Sequence, residues 1–174
     1  MKRLLIIAAL AGHLLIATPA GAADRNAAEE ARIGQCLRQA ARGRDWLEKT
    51  LRGLRAQEAG WLGAEVANTN GTHDLGPLQI NSSWVPKISR MVGRRPEQVR
   101  YWLRYDPCFN ADAARWIFLF ALQSTGDYWM AVGAYHSPTG WRRRAYAAKV
   151  ADHMRRLFGS GIFHINEKEG TQTQ

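Results

Sequence analysis

The sequence is poor in acidic residues and lacks a long uninterrupted apolar run. Its 174 residues include 15 Asp and Glu against 24 Lys and Arg, which gives a formal net charge of +9. Such a surface favours polyanionic partners: nucleic acid, anionic lipid or an acidic cell wall. A helix that crosses a membrane needs about 20 apolar residues. The run from Leu4 to Ala17 is broken by Gly12 and His13, and Ala113–Leu122 is also too short. No stable membrane anchor is expected.

Signatures of several common chemistries are also missing. There is no G-x-S-x-G motif and no phosphate-binding P-loop. Four histidines lie in the predicted exported part, and none of them has the spacing of a metal ligand: His73, His136, His153 and His164. The sequence therefore predicts no metal site and no cofactor.

The first 22 residues have the composition of a secretory signal. Lys2 and Arg3 precede the short apolar run, and small residues follow it in Thr18–Ala23. A basic start, an apolar centre and a small-residue end are typical of a cleaved signal peptide. We expect a mature chain that begins near Ala23 and acts in the periplasm. Export also argues against nucleic acid as the working partner.

The chain contains only two cysteines, Cys36 and Cys108. Both lie in the exported part, where an oxidising compartment favours one disulfide between them. A bridge that closes a loop of about 70 residues stabilises a fold by roughly 4 kcal/mol on the chain-entropy model. The alternative is a pair of buried free thiols.

No repeat or long linker divides the rest of the chain, so residues 23–160 are predicted to form one domain and 161–174 a polar tail. Helical periodicity covers 27–42 and 45–59, where Asp45 is the expected N-cap and Gly60 the expected stop of the second helix. Further helices are expected after Ser82 or Ser83, after Pro96, from Asn110, after Asp127 and over 141–158. The Asn70-Gly71 pair predicts a hairpin turn, with small strands that end near residues 78–80. The sequence therefore predicts a mainly α, α+β fold with a small β element inserted among helices.

Glu58 occupies an unusual position on the second helix. Leu47, Leu51 and Leu54 mark one face, and Glu58 continues that apolar stripe in the last turn. Burial and the helix dipole both raise the pKa of such a carboxyl. A carboxylic acid that keeps its proton near neutrality is suited to general acid catalysis at a glycosidic oxygen. The alternative is a frayed helix end that turns Glu58 towards solvent.

Several segments in order along the chain resemble the lysozyme-like lytic transglycosylases. They are Glu58-Ala59, the run Asn70–Ser82 (NGTxDxGxxQINSxW with Trp84), Asp106-Pro107-Cys108, Ala134-Tyr135-His136 and Tyr146–Val150. The resemblance covers about residues 34–158. It implies a lysozyme-like fold and an enzyme that cleaves peptidoglycan glycan strands at the MurNAc-β-1,4-GlcNAc bond, with 1,6-anhydromuramic ends. A monomer is the default expectation, since the sequence does not indicate an oligomeric state. Within that family the sequence most resembles the small transglycosylases that accompany type IV secretion, conjugation, type III secretion and pilus systems. The resemblance implies that components of such a system are the partners of this protein.

The resemblance also implies roles for individual residues. Glu58 falls on the family's catalytic acid, which protonates the leaving oxygen and then acts as a base. Gln79 falls on a glutamine that lines the glycan groove, and Asn81 is a candidate sugar contact. Tyr135 and Tyr146 fall on tyrosines that pack near the acid in relatives. The alternative for both tyrosines is ordinary core packing.

The chain departs from the family pattern at three places. Ala59 stands where a serine usually follows the acid, Pro77-Leu78 replaces Leu-Met, and His136-Ser137-Pro138 replaces Asn-Ala-Gly. None of these changes removes the acid. The rate, the pH optimum and the substrate contacts of this chain stay open, and His136 becomes a candidate substrate contact with an imidazole in place of an amide.

Asp74 is a second candidate carboxylate, and it leaves two rival functions open. In c-type lysozymes the matching aspartate permits net hydrolysis, so a hydrolytic muramidase that uses Glu58 and Asp74 is the first rival. A structural aspartate that hydrogen-bonds turn amides is the other interpretation of this residue. The second rival is an inactive glycan-binding subunit that recruits a secretion complex to the wall.

Three further features are given structural interpretations. Trp61 and Trp84 are predicted to pack in the core rather than to stack on sugars. The basic cluster Arg142-Arg143-Arg144 is predicted to be a solvated helix face.

Overall fold

The computed structural model describes residues 20–137 and 139–163, with side-chain burial from residue 26 onward. Within these residues a small antiparallel sheet is inserted between the second and third of the α-helices. This is the mainly helical α+β fold that the sequence predicted. The helices are α1 (Ala20–Ala41), α2 (Asp45–Glu58), α3 (Val85–Val92), α4 (Pro96–Tyr105), α5 (Pro107–Thr125), α6 (Tyr128–His136) and α7 (Gly140–Phe158), and the strands are β1 (Glu65–Ala67), β2 (His73–Leu75) and β3 (Ile80–Asn81).

The core is organised around α5. This helix packs against α1, α4 and α6, while α7 packs against both α6 and α2. The apolar run in α5 supplies Ile117 and Phe118 to this core, and both side chains are at most 2% exposed. Gly133 allows α6 and α7 to approach closely, because a Cβ there would lie 2.6 Å from the carbonyl oxygen of Arg143. The long apolar segment is therefore a buried central helix, as its length predicted.

Helix α2 buries the stripe that its spacing predicted. Leu47, Leu51 and Leu54 are each 0% exposed. The helix ends at Glu58 because Ala59 adopts the left-handed conformation with φ of 47° and donates its N–H to the carbonyl oxygen of Arg55. The sequence placed this end one residue later and assigned the stop to Gly60. Gly60 instead permits close packing, since a Cβ there would lie 2.3 Å from the carbonyl oxygen of Gly76.

The sheet forms one wall beside the helices. Strand β2 pairs with β1 and β3, so that Asp74 stands opposite Val66 on one side and Asn81 on the other. The β1–β2 turn contains Gly71 at φ 79°, which confirms the tight turn predicted from Asn70-Gly71. The second strand was expected to run on towards residue 80. The chain instead turns at residues 76–79 and returns as a short third strand.

Asn110 has a different role from the one expected. The sequence made it the start of a helix, but α5 begins at Pro107, where the Asp106 side chain accepts from the N–H groups of Cys108 and Phe109. Asn110 is 0% exposed. Its Oδ1 accepts from the N–H of Leu78 at 2.9 Å, and its Nδ2 donates to the carbonyl oxygens of Leu75 at 3.0 Å and Leu103 at 2.7 Å. One side chain thus anchors the β2–β3 turn to α4 and α5.

Other boundaries also differ from the sequence prediction. Helix α1 begins at Ala20 rather than residue 27. Asp45 is the first helical residue of α2 and not its N-cap, and it forms an ion pair with Lys49 at 2.6 Å. The short turn before α3 is capped by Asn81, whose side chain accepts from the N–H of Ser83, and not by Ser82 or Ser83. The predicted Asp127 cap of α6 is confirmed, since its Oδ1 accepts from the N–H of Met130 at 2.7 Å.

Cys36 and Cys108 form a disulfide that joins α1 to the start of α5, the pairing that the sequence predicted. The two cysteines are 72 positions apart in the chain. No helix in the described ranges has the length and apolarity required to span a membrane. The signal peptide prediction falls largely on residues 1–19, and most of the predicted tail on 164–174, both outside the described residues.

Asn110→Ala should lower the free energy of unfolding by about 3 kcal/mol or more, because three buried backbone groups lose their partner and each unmet group costs roughly 1–3 kcal/mol. Urea titration of the purified domain measures this change. Gln123→Ala, on an exposed position of the same helix, should change stability by less than about 0.5 kcal/mol. Similar small losses in both variants would show that Asn110 does not anchor the turn.

Candidate active site

A cleft of about 680 Å³ separates the sheet from the helical wall. Polar side chains of the β1–β3 region line one side, and α6, the start of α7 and the end of α2 line the other. It brings together six of the residues that the sequence singled out, namely Glu58, Asp74, Gln79, Asn81, Tyr135 and His136. Such a concave site with convergent polar groups is typical of a substrate-binding site.

Glu58 lies at the inner end of this cleft, where the apolar stripe of α2 meets solvent. Its side chain is half-buried, and its Oε1 accepts a hydrogen bond from the hydroxyl of Tyr146. Burial raises the pKa of Glu58 to about 7, the Tyr146 hydrogen bond opposes this rise, and the negative charge of Asp74 adds to it. Desolvation is thus the main cause of the raised pKa, and the sequence predicted it together with the helix dipole. At neutral pH a large fraction of Glu58 carries a proton that it can donate.

Tyr146 holds the acid rather than lining the open cleft. Its side chain is 5% exposed, and burial together with the nearby Glu58 carboxyl raises its pKa well above the ordinary value of a tyrosine. The hydroxyl therefore stays protonated and acts as a donor. The imidazole of His136 stacks on the Tyr146 ring, with 4.7 Å between the ring centroids and 1° between the planes. His136 covers Tyr146 on its cleft side and is itself exposed.

Tyr135 links α6 to the sheet side of the cleft. Its hydroxyl donates to the carbonyl oxygen of Leu78 at 2.9 Å. Burial, and then the charges of Glu58 and Asp74, raise the pKa of Tyr135 well above its usual range. This tyrosine therefore fixes the width of the cleft beside the acid.

Asp74 faces the cleft from β2 within a network of neutral side chains. Asn81 donates through Nδ2 to Oδ1 of Asp74 at 2.9 Å and to Oγ1 of Thr72 at 2.9 Å. Thr72 in turn donates to Oδ1 of Asn70 at 2.7 Å. The structural interpretation from the sequence was that Asp74 hydrogen-bonds turn amides. The structure instead shows that a cross-strand partner, Asn81, positions Asp74.

Gln79 is held in a strained backbone conformation. Its φ is 47°, in the left-handed region that non-glycine residues rarely adopt. Its Nε2 donates to the carbonyl oxygen of Gly76 at 2.8 Å, which bends the side chain back over the turn. Gly76 itself has φ 67°, and a Cβ there would lie 2.0 Å from the carbonyl oxygen of Leu103. This turn forms the cleft floor beside the acid, and such local strain is common at functional sites.

The departures from the family pattern have structural counterparts. Ala59 is exposed and supplies the left-handed helix end, so no hydroxyl stands next to the acid. Pro77 is buried, and its carbonyl oxygen accepts from Nη1 of Arg55 at 3.2 Å, which ties the turn to α2. His136 lies in the cleft wall, and partial desolvation of its ring lowers its pKa, with Asp74 opposing and Arg142 and Lys149 adding to the decrease. A neutral imidazole therefore faces the cleft.

The structure separates the two tryptophans. Trp61 is 58% exposed, so the prediction of core packing is wrong for this residue, and it lies outside the cleft. Trp84 borders the cleft and packs edge-to-face on Trp116 and Phe120, with ring centroids 5.6 and 6.1 Å away. Trp84 is thus half-buried and packs against the core, in agreement with the prediction, while it also borders the cleft.

A second cavity of about 690 Å³ lies beside Trp61, between α1, α2 and α7. This cavity is as large as the cleft, but its lining side chains differ, and Glu58 and Asp74 are not among them. Its two carboxylates already have partners, because Glu29 accepts from the N–H of Leu62 at 2.8 Å and Glu30 pairs with Arg55. We therefore assign the candidate active site to the cleft with Glu58. In the described ranges no group of three His, Cys, Asp or Glu side chains is arranged to hold a metal ion.

Sequence reasoning missed two contributions to this site. Asn110 fixes the turn that bears Gln79, and its only signal in the sequence is a polar residue early in an apolar helix. Arg142 and Arg143 line the cleft, whereas the sequence placed them on a solvated helix face. Arg142 and Arg144 are exposed as predicted, but the sequence did not indicate that this face of α7 borders the cleft.

The fold and the site together define a class of protein. A helical domain with a small sheet, in which one shielded carboxylic acid faces a polar cleft, has the architecture of lysozyme-like domains. The profile of the transglycosylase SLT domain matches residues 35–156. The chain belongs to this family, which confirms the resemblance to lysozyme-like lytic transglycosylases.

Two relatives are similar over part of their length. The invasion protein IagB of Salmonella typhimurium (strain SL1344) is 32% identical over 110 residues, which cover 61% of this chain and 66% of that protein. The invasion protein IagB of Salmonella typhi is 33% identical over 99 residues, 55% of this chain and 59% of that protein. The chain spans less than two thirds of the length of each of these relatives.

Glu58→Gln should change the pH dependence of stability. The folded protein holds the Glu58 proton more tightly than the unfolded chain does. The pKa of Glu58 is about 7 in the folded protein and 4.5 in the unfolded chain. Wild-type stability therefore falls as pH rises through this interval, and that loss is absent in the glutamine variant. From pH 4 to pH 8 the variant should gain about 3 kcal/mol in unfolding free energy relative to wild type.

Urea titrations of both proteins at several pH values measure this difference. All other titrating groups are common to the two proteins, so the difference isolates position 58. A difference that does not vary with pH would show that the carboxyl is hydrated in the folded protein.

Proposed function

We propose that this protein is a lytic transglycosylase that cleaves the β-1,4 bond between N-acetylmuramic acid and N-acetylglucosamine in peptidoglycan. The Glu58 carboxyl is the observation that supports this proposal most. It faces the cleft, it has a pKa of about 7, and it accepts a hydrogen bond from Tyr146. A glycosidic oxygen is a poor leaving group until it is protonated. An acid that keeps its proton at neutral pH supplies what the bond needs.

In the first step Glu58 donates its proton to the oxygen that bridges the two sugars. The C1–O bond of the muramic residue breaks, and positive charge develops at C1 and the ring oxygen. The carboxylate left on Glu58 is stabilised by the Tyr146 hydroxyl, which stays protonated because of its raised pKa. Tyr146 therefore acts as a positioning residue whose hydrogen bond is strongest when Glu58 is ionised.

In the second step Glu58 acts as a base. It removes the proton from the 6-hydroxyl of the same muramic residue, and that oxygen forms a bond to C1. The product has a 1,6-anhydro ring, and Glu58 has recovered its proton without consuming water. A hydroxyl tethered to the reacting sugar has a large effective concentration. A single carboxylic acid therefore suffices.

The neutral residues of the cleft are proposed to bind sugars. Asn81 already donates to Asp74, and its second contact to Thr72 fixes the amide plane. Gln79 and His136 present an amide and an imidazole to the cleft beside the acid, while Tyr135 sets its width. Hydroxyls and acetamido groups of N-acetyl sugars are suitable partners for such side chains.

The proposal extends to location and biological role. Residues 1–22 are the proposed signal peptide, 23–160 the catalytic domain and 161–174 a polar tail, so the mature protein would act in the periplasm as a monomer. The IagB proteins are named invasion proteins. We infer that this protein opens the wall locally for an envelope-spanning secretion, conjugation or pilus machine, whose components would be its partners.

Hydrolysis is the second candidate. Asp74 faces the same cleft, is oriented by Asn81 and contributes to the raised pKa of Glu58. A second carboxylate can hold or activate water on the opposite side of the sugar, which would make the protein a hydrolytic muramidase. The two reactions differ in their products, because hydrolysis leaves reducing muramic ends.

Incubation of purified peptidoglycan with the mature protein should release muropeptides with 1,6-anhydro ends, identified by mass spectrometry. Glu58→Gln should reduce release by at least about 1,000-fold, since the variant has no proton to donate. Gln57→Glu serves as the matched control, because it changes the charge at the neighbouring position and leaves the acid in place. This control variant should retain activity.

The alternatives give different results in the same assay. Reducing ends, lost in Asp74→Asn, would identify a hydrolase. Substantial release by Glu58→Gln would contradict both reactions. Retained binding to sacculi with no release from any wall type would identify a glycan-binding subunit.

The rate should follow the protonation of Glu58. The value of kcat/KM should decrease about tenfold for each pH unit above about pH 7, because only the protonated acid starts the reaction. Tyr146→Phe removes a hydrogen bond that lowers the pKa of Glu58, so this decrease should begin at higher pH while the maximal rate is smaller. A pH profile of soluble glycan cleavage measures both. An unchanged pH profile in Tyr146→Phe would contradict the positioning role.

A further inference from the structure

The two walls of the cleft differ in charge. The sheet side presents amides and hydroxyls together with the Asp74 carboxyl, whereas the start of α7 places Arg142 and Arg143 in the opposite wall. The Glu58 carboxyl lies at the end of α2, on the helical side. A neutral glycan chain does not require two guanidinium groups beside its binding groove. The asymmetry suggests that the ligand carries negative charge on one side only.

The arginines occupy a position that helix electrostatics disfavours. The start of α7 contains three consecutive arginines, Arg142, Arg143 and Arg144, and no acidic residue in its first turn. A helix N-terminus already has a partial positive charge, so cations there are destabilising. Thr139 precedes the helix without a side-chain cap hydrogen bond. Positive charge is therefore concentrated at this edge, and the first turn of α7 has no acidic residue to offset it.

Arg142 is the arginine best placed to bind a ligand. In residues 26–137 and 139–163, for which the structure describes side chains, the ion pairs between arginines and acidic side chains involve Arg52, Arg55, Arg100, Arg104 and Arg155, and none involves Arg142 or Arg143. Arg142 is exposed, and its guanidinium lies 5.3 Å from the centroid of the Trp141 ring. Arg143 is partly engaged, because its Nε donates to the carbonyl oxygen of Ser137 at 3.1 Å. Arg142 therefore supplies the free fork, and Arg143 adds charge.

The same face of α7 carries the residue that holds the acid. Arg142, Tyr146 and Lys149 follow a spacing of four and then three residues, which places them on one side of the helix. His136 stacks on Tyr146 and is close enough to Arg142 and Lys149 for both charges to affect it. A ligand group bound by Arg142 would thus lie beside the sugar that faces Glu58.

We propose that Arg142, assisted by Arg143, binds a carboxylate of the peptide attached to a muramic residue, so that the protein selects peptide-bearing glycan over peptide-free glycan. The lactyl group of each muramic acid carries a short peptide with free carboxylates, which gives the strand negative charge on its peptide side. The planar guanidinium matches a carboxylate with two parallel hydrogen bonds. This selectivity rests on the proposed function, since it assumes that peptidoglycan occupies the cleft.

Binding can be measured separately from cleavage. The ligands are muramic tetrasaccharides in three forms: with peptides, with the peptide carboxylates converted to amides, and without peptides. The proteins carry Glu58→Gln so that they do not cleave, alone or combined with Arg142→Gln or Arg144→Gln. Arg144→Gln is the matched control because it removes the same charge two residues away. The Arg144 side chain lines a different pocket, between α6 and α7. Isothermal titration calorimetry gives Kd at low and high salt.

The peptide-bearing form should bind more tightly than the other two to the Glu58→Gln protein. Arg142→Gln should weaken that form by about two- to fivefold, as expected for a partly exposed ion pair. It should leave the amidated and peptide-free forms unchanged. Arg144→Gln should have no effect beyond a general salt-sensitive change common to all three forms. The preference should decrease at high salt, because ions screen exposed charges.

Equal losses for all three forms, or equal losses in Arg142→Gln and Arg144→Gln, would overturn the proposal. So would the absence of any preference for peptide carboxylates. Wild-type cleavage of the same tetrasaccharides tests the proposed function independently. Cleavage without selective binding would leave the activity and remove the selectivity, whereas selective binding without cleavage would leave the carboxylate site and remove the activity.

Discussion

The placement of one carboxyl at the end of a buried leucine stripe is the constraint on which the rest of the site depends. Burial makes ionisation of Glu58 costly, and the surrounding groups reduce that cost only in part. Tyr146 contributes a hydroxyl that favours the ionised form, and Asp74 contributes a charge that disfavours it. These opposing influences leave the proton at the boundary between held and released at neutral pH. The proposed reaction needs this balance, because in it the same carboxyl acts first as an acid and then as a base.

The frame around the acid is built from hydrogen bonds to backbone groups in the β2–β3 turn and beside it. Asn110 binds three backbone groups, Tyr135 binds the carbonyl oxygen of Leu78 from α6, and Arg55 binds that of Pro77 from α2. The sheet alone has strands of only two or three residues and could not hold the turn in a strained conformation. Helices therefore position the substrate side of the cleft as well as the acid side.

The features that depend on local pattern were predictable from the sequence. The spacing of Leu47, Leu51 and Leu54 identified both the buried face of α2 and the place of Glu58 on it, and Asn70-Gly71 identified the hairpin. Features that depend on tertiary contacts were not. Nothing in the neighbourhood of Asn110 indicates that its amide meets Leu78, Leu75 and Leu103, which are 7 to 35 residues away.

The missed cleft position of two arginines and the errors at Trp61 and Gly60 have the same origin. Arg142 and Arg143 have the sequence of an ordinary solvated helix start, and only the position of the sheet makes them part of a cleft. Trp61 has the size of a core residue, yet the close approach of Gly60 to Gly76 leaves its ring outside. Gly60 had a plausible local role as a helix stop, but a tertiary close contact determines its place in the fold.

The tip of the β1–β2 hairpin differs from the turn at residues 76–79 in one physical respect. A side chain added at Gly71 would meet no atom within 4 Å, whereas one added at Gly76 would collide with the backbone of α4. The hairpin tip therefore has open space around Gly71, although the φ of 79° strains any other residue at that position. Variation at the tip is limited by the local backbone conformation, whereas variation in the turn at residues 76–79 is limited by contact with a packed helix.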